Sequence, residues 1–500
     1  MSRNHNALQS CTFPSYSSDT PPRRRFLGAS GAVLAATTLA ACTGGGQSPQ
    51  EQAADGTLRW WDQFRPLTST FEKELFDPFM ADNPNVTIER QQLEAPDLGQ
   101  ALQIARRSSQ LPDVHSLAGL DSSPAALLNN DWFQPIDKYA DFDSSEVADQ
   151  LFDGIHRFDD HLYSVPMFSG RWHENVPWYN TELMEKADID PEEEPGTWDE
   201  LRDIARRVID GADTYGIFVP GKDPDYLNQL VNRLAQSAGA AGTIDWTDGE
   251  YIQDTQPFLD AFDFLKSLLD DDLLHPASPS MGTRDARARW ASGEAAIYPW
   301  GAWFIGGLMV DEPEAVERGV ACWHLPGPES ERHKIYSGPS GGVFWVSADA
   351  REPEAGAQLL HQMTTPEFQE ALASAMDQPP ALLEAVEKAD VHPAYQQCIS
   401  TFTDDVLIAP APAAGEPGVW RVEAEMRDIR PNPGDILQSV LAGEDVNVRQ
   451  KLTTFRDSIS KERERAIESV QDDAKVDISA WVFENWDPSR DYEQADYDER

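Results

Sequence analysis

The chain is poor in cysteine, in basic residues relative to acids, and in long apolar runs. It has four cysteines among 500 residues, too few for a disulfide framework. Cys11 and Cys42 lie near the N-terminus, leaving Cys322 and Cys398, which pair or stay as thiols according to the redox state around them. No C-x-x-C or H-x₃-H spacing occurs, so neither a metal site nor a cofactor is expected. Lys and Arg number 40 against 86 Asp and Glu, a formal charge of −46. A chain this acidic repels nucleic acid, whose phosphates need clustered cations. The acids are spread through segments that also carry apolar periodicity, so they read as a surface suited to high salt rather than an acidic tail. In about 1 M salt the Debye length is near 3 Å and self-repulsion is screened.

The missing long apolar run matters most at Arg23–Cys42, "RRRFLGASGAVLAATTLAAC". A spanning helix needs about 20 apolar residues; the stretch from Gly28 to Ala41 is shorter and rich in Ala, Gly and Thr. Arg23-Arg24-Arg25-Phe26-Leu27 resembles a twin-arginine export signal, and Leu39-Ala40-Ala41-Cys42 a lipobox. Residues 1–41 therefore read as a signal peptide and Cys42 as the lipid-bearing residue. Residues 42–56, rich in Gly, Ser, Pro and Gln, read as a flexible tether. No other segment is long and apolar enough to span.

What is present is a globular chain, with 40% apolar residues, long enough for two or three domains. Thr57–Trp61 is a β-rich run. Phe71, Leu75, Phe76, Phe79 and Met80 share one helical face, and Asn83-Pro84-Asn85 stops that helix before the strand Val86–Glu89. A second helix leads to Pro112–Leu117. This β-α-β-α-β order predicts a parallel α/β sheet. Thr197-Trp198-Asp199-Glu200 has the capping-box spacing, which gives Trp198 a packing role at a helix start. Residues 487–500 are acidic and polar and read as a loose tail.

The order of the remaining motifs is informative. "NPNVTIE", "LPDV", "NNDWFQPID", "YSVP", "PWYN", "PGTWDEL", "WASGEAAIYPWGAW", "LPGP", "SGGVFWVS" and "EAGAQLLHQMTTPEFQ" follow one another from Thr57 to about Ala466. Each is loose alone; in this order they resemble the extracellular solute-binding proteins of ABC importers, in the sugar-binding group with maltose- and trehalose-binding proteins. The resemblance implies a two-lobed periplasmic-binding-protein-like α/β fold, each lobe a mainly parallel sheet flanked by helices, with a ligand cleft between them. It places lobe 1 at 57–170 and 326–375 and lobe 2 at 171–325 and 378–469. It further implies a sugar ligand, ABC permease subunits as partners, a monomer and no catalysis, while the lipobox implies a lipid-anchored position on the outer face of the membrane. "SGRWHENVPWYN" and "DQPPALLEA" depart from the family pattern near the expected hinge and leave ligand identity open.

Sugars present flat C–H faces and rims of hydroxyls, so a site for them needs aromatic planes and fixed hydrogen-bond groups. The candidates are Trp60, Trp61 and Asp62 at the end of the first strand, Asp121 after the third, Trp172 and Glu174 on the first crossover, Trp300, Gly301 and Trp303, Gly341 and Gly342, and Trp420. Strand alternation sends Trp60 and Trp61 to opposite faces, so at most one reaches a cleft. Two other readings stay open. A secreted glycosidase needs two carboxylates about 5–10 Å apart, and no motif marks such a pair. A binding protein for an anionic or peptide ligand, such as a glycerol phosphodiester, would draw on Arg171.

The charge balance generates a test. Like charges repel over about 10 Å at 0.1 M salt but only about 3 Å at 1 M, so dilution into low salt is expected to lower the thermal unfolding midpoint. A midpoint that does not move between those salt concentrations rejects the high-salt reading.

Overall fold

The computed structural model describes residues 56–120, 122–472 and 474–500. The export signal, Cys42 and Asp121 lie outside the described residues. Ten strands matter for the site: β1 (Thr57–Asp62), β2 (Thr87–Gln92), β3 (Val114–His115), β4 (Val176–Asn180), β5 (Tyr215–Ile217), β6 (Ala295–Trp300), β7 (Val320–Cys322), β8 (Ile335–Ser337), β9 (Trp345–Val346) and β10 (Val406–Ile408). Five helices are needed with them: α1 (Trp198–Ala212), α2 (Thr283–Ala291), α3 (Phe304–Asp311), α4 (Pro366–Ser374) and α5 (Pro393–Asp405).

The strands form two four-stranded sheets, ordered β9-β3-β1-β2 and β5-β6-β4-β7. In the first sheet β1 runs parallel to β2 and β3, and β9 closes the edge antiparallel. In the second only β5 and β6 run parallel; β4 pairs antiparallel with both β6 and β7. This sheet is mixed rather than mainly parallel, because β4 enters from the other lobe instead of through a right-handed helical crossover. Each sheet has its own hydrophobic core. One gathers residues between Leu58 and Phe168 and between Phe344 and Leu372. The other gathers residues between Val176 and Leu325, then Ile335, and others from Ala373 to Leu452.

Local chemistry fixes the elements. Thr197 Oγ1 accepts the Glu200 N–H at 3.2 Å and Glu200 Oε2 accepts the Thr197 N–H at 3.0 Å, so the capping box opens α1. Trp198 stacks on Phe264 at 4.8 Å and donates to Pro326 O, a packing role. At β1 the period of two sends Trp60 into the lobe core against Phe76 and Phe344, while Trp61 packs half-buried against a satellite cluster.

Three crossovers join the lobes. The first and third pair with each other, Phe168 opposite Pro380, with the Ser169 N–H donating to Pro379 O. The second contributes β8, which runs parallel to β10. The C-terminal segment is docked there rather than loose. Asp491 accepts the Ile408 N–H at 2.8 Å and pairs with Arg171. Tyr492 N–H donates to Ile408 O at 2.8 Å, and Tyr492 and Tyr497 bury against Phe483. The two tyrosines supply apolar surface that a count of acids overlooks. Cys322 and Cys398 are buried free thiols in one core.

Candidate ligand-binding cleft

A cavity of about 370 Å³ lies at the seam of the lobes. The turn after β1, Gln63 to Pro66, reaches it from lobe 1; α2, Trp300, Trp303 and Asp311 reach it from lobe 2; Asp377 and Gln378 line it from the third crossover.

The lobe 1 turn is held by a buried ion pair. Asp62, fully buried, receives Arg90 Nε and Nη2, each at 2.7 Å, the Phe64 N–H at 2.8 Å and the Trp60 indole N–H at 3.0 Å. Burial pushes the Asp62 carboxyl above its ordinary pKa against the pull of Arg90. Arg90 also donates to Phe64 O and Thr68 Oγ1, both at 2.8 Å. The turn therefore has one geometry, with Gln63 further held by Ser116 Oγ at 2.5 Å.

The lobe 2 wall is aromatic. Trp300 ends β6 and stacks on Tyr298 two residues earlier, at 5.6 Å and 11°. Trp303 meets Trp300 edge-on at 5.5 Å and Trp172 at 5.6 Å. Gly301 is needed for that arrangement: a Cβ there would sit 2.4 Å from Trp303 Cη2. The glycine makes room for the indole that folds back over it, not for a ligand.

The charges at the seam are largely paired. Arg65 reaches Asp311 across it at 2.8 Å, Arg287 holds Asp311 at 2.5 Å and Glu312 at 3.2 Å, and Arg284 pairs with Glu94 of lobe 1. The exception is Asp377, which is 4% exposed and among the described residues accepts only the Gln378 N–H, at 2.9 Å. Burial pushes its carboxyl up to about 7.

Of the expected site residues, the structure brings Trp300 and Trp303 to the cavity, with Gly301 between them and Trp172 against Trp303. Trp60 and Asp62 are corrected to core positions, because the strand face that carries them turns into lobe 1. Trp61 lies on the opposite face, and neither it nor Trp420 lines this cavity. Trp420, 4% exposed, packs on Phe158 at 5.6 Å and under Arg421 at 4.2 Å. Glu174 is taken by Arg233 at 3.0 Å. Gly342 approaches Ser164 so closely that a Cβ would lie 1.9 Å from its Oγ, whereas Gly341 is exposed with open space around it. Arg171 donates to Val406 O and Asp491, away from the cavity. Gly338 to Gly342 has the G-x-S-x-G spacing, but it lies in an irregular stretch between β8 and β9 rather than a strand-to-helix elbow.

Sequence reasoning missed Arg65, Arg284, Arg287, Asp311 and Asp377. For Asp377 two signals existed: its segment departs from the family pattern, and Gly306-Gly307 interrupts an apolar helix. A Cβ at Gly306 would lie 2.5 Å from Met376 O, so that glycine lets the crossover approach α3.

Two α/β lobes joined by three crossovers, with a lined cavity at the seam, define a cleft-type binding protein. Residues 61–370 match the family model described as bacterial extracellular solute-binding protein, and the chain belongs to that family. A Pyrococcus horikoshii protein described as an uncharacterized ABC transporter extracellular-binding protein is 27% identical over 176 residues, 32% of this chain and 38% of that one. The chain thus aligns with well under half the length of that relative. Among solved structures, the GacH receptor of Streptomyces glaucescens, described unliganded and with acarbose, superposes with a TM-score of 0.63 at 18% identity, over 82% of this chain and 99% of its own. A Thermotoga lettingae solute-binding protein bound with α-D-tagatose gives 0.63 at 18%, over 81% and 99%. Maltose-bound MalE3 of T. maritima gives 0.61 at 18%, over 81% and 99%.

Proposed function

We propose that this chain is the ligand-capturing component of an ABC importer, that it takes an uncharged sugar at the lobe seam, and that it hands the sugar to membrane permease subunits. The observation that carries this is the aromatic wall. Trp300 and Trp303, set at 84° to each other, offer planes for the C–H faces of a sugar, and Gln63, Asp377 and Gln378 offer hydrogen-bond groups for its hydroxyls. The structural neighbours described with acarbose, tagatose and maltose support the same ligand class. The anionic alternative loses its support, since Arg171 is engaged elsewhere and the seam arginines at the cavity are paired with carboxylates. The lipobox supports a position on the outer membrane face, tethered through Cys42, and the family resemblance supports a monomer.

A thermal-shift panel of maltose, raffinose and tagatose tests the ligand class. A binder present at a hundredfold excess over its Kd stabilises the fold by about 2.7 kcal/mol, a clear rise in midpoint. No rise with any of them rejects a sugar of this range, and hydrolysis of any sugar on overnight incubation restores the glycosidase reading.

The role of the wall is read by comparing two tryptophans. Trp300→Ala is expected to weaken binding of the best panel sugar by about 2 kcal/mol, as for a well-packed aromatic anchor, with a modest stability loss. Trp60→Ala, in the lobe core, is expected to cost about 3–5 kcal/mol of stability while the molecules that remain folded keep their affinity. Equal affinity in wild type and Trp300→Ala removes Trp300 from the site. For the anchor, Cys42→Ser is expected to release the protein from the membrane fraction or leave its signal uncleaved; wild-type protein found free in the medium with an intact N-terminal segment refutes it.

A further inference from the structure

Six carboxylates are buried among the described residues: Asp62, Asp113, Asp377, Asp405, Glu462 and Asp496. Five have an arginine: Asp62 with Arg90 at 2.7 Å, Asp113 with Arg59 at 3.8 Å, Asp405 with Arg332 at 3.6 Å, Glu462 with Arg465 at 2.6 Å, and Asp496 with Arg490 at 2.5 Å. Asp377 pairs with no cation among the described residues. A buried charge without a partner is costly, and among these six the exception is the one that lines the inter-lobe cavity.

Its position is fixed from several sides. Met376 takes a left-handed turn, φ +51°, and its carbonyl accepts the Gly306 N–H of α3 at 3.2 Å. The Tyr395 hydroxyl of α5 donates to Gln378 O at 3.1 Å. The charged groups that share the cavity with Asp377 are Arg65 of the β1 turn, Arg284 and Arg287 of α2 and Asp311 of α3, and His392 and Tyr395 at the start of α5 lie against its turn. The three arginines are bound to Asp311, Glu312 and Glu94. Asp377 Oδ1 accepts the adjacent Gln378 N–H, and Oδ2 accepts no hydrogen bond from a described residue.

We propose that Asp377 is a ligand-orienting residue of the cleft, its Oδ2 accepting a hydroxyl of the bound sugar. This rests on the sugar reading above and adds to it the acceptor that sets ligand orientation. The carboxyl is held in readiness at the expense of the unliganded fold. Because burial raises its pKa to about 7, the unfolded chain ionises it more readily than the folded one. Stability is therefore fullest below the ordinary carboxylate pKa and is lost as the pH rises toward 7. A sugar hydroxyl donating to the ionised group offsets part of that loss.

The test uses Asp377→Asn, which keeps the shape and removes the charge, and Asp377→Ala, in the full chain. Without ligand, Asp377→Asn is expected to unfold at a higher temperature than wild type at about pH 8, with the gain shrinking at about pH 5. Titrated with whichever of maltose, raffinose or tagatose binds wild type, both variants are expected to lose tenfold or more in affinity. A residue with a merely structural role would do the reverse, so a lower unliganded midpoint for Asp377→Asn at pH 8, or unchanged affinity, overturns the proposal. If none of the three sugars stabilises wild type, the sugar reading fails and this ligand with it, while the unliganded comparison still shows whether the carboxyl is held against stability.

Discussion

The Asp62–Arg90 pair is the contact on which the lobe 1 side of the cleft depends. Arg90 stands opposite Trp60 in the β1–β2 register, yet its guanidinium spans the end of the neighbouring strand to reach Asp62, Phe64 O and Thr68. One side chain thus ties the sheet edge to the turn that carries Gln63 and Arg65 into the cavity. Removing one partner of a buried pair typically costs about 3–5 kcal/mol, because the other charge is stranded. The invariance of the turn follows from that penalty rather than from loop stiffness.

From that turn Arg65 reaches across the seam to Asp311, and a second cross-seam pair joins Arg284 to Glu94. These are exposed contacts: the Arg65 side chain is 50% and the Arg284 side chain 61% accessible. Pairs of this kind are worth about 0–1 kcal/mol each, and less in salt. In a chain carrying −46, molar salt relieves the repulsion of the lobes and screens the pairs that hold them together. What then remains to hold the lobes against each other is non-ionic: the crossover hydrogen bonds and the packing of Trp420 on Phe158.

Much of the fold could be read from periodicity and motif order. The helix start at Thr197 follows from two side chains three residues apart, and the opposite fates of Trp60 and Trp61 follow from the pitch of a strand. The site was less legible, because a cleft is made by loops distant in sequence whose meeting no local pattern encodes. Trp300 and Trp303 could be singled out because the family motif brackets them. For Asp377 the departure from the family pattern and the Gly306-Gly307 break mark the place but not the role, since its significance lies in a missing partner and only the assembled fold shows which arginines are already engaged. Glu174 looked like a free acceptor on a crossover until Arg233, 59 residues on, was found on it. The C-terminal segment misled for a related reason: its acids are counter-charges to Arg171 and Arg490, and its tyrosines find Phe483.

These magnitudes decide where the molecule yields. At the crossovers the lobes are joined by backbone hydrogen bonds, Ser169 to Pro379 at 2.9 Å and the β8–β10 ladder, reinforced by the C-terminal segment through Tyr492, and Tyr336 Oη donates to Pro488 O at 2.9 Å. The buried backbone groups among these are expensive to leave unpaired, at about 1–3 kcal/mol each, whereas the Tyr336–Pro488 bond is exposed. At the cavity mouth the joining ion pairs are Arg65–Asp311 and Arg284–Glu94, and elsewhere on the seam Arg421 pairs with Asp159 at 2.8 Å beside the Trp420–Phe158 contact. The weaker set lies beside the aromatic wall and the stronger set at the crossovers, so parting the lobes breaks the cavity side first and leaves the crossovers as the hinge. A ligand that contacts Trp300 of lobe 2, Gln63 of lobe 1 and Asp377 between them adds its interactions to the weaker side, where a few kcal/mol is enough to shift the balance.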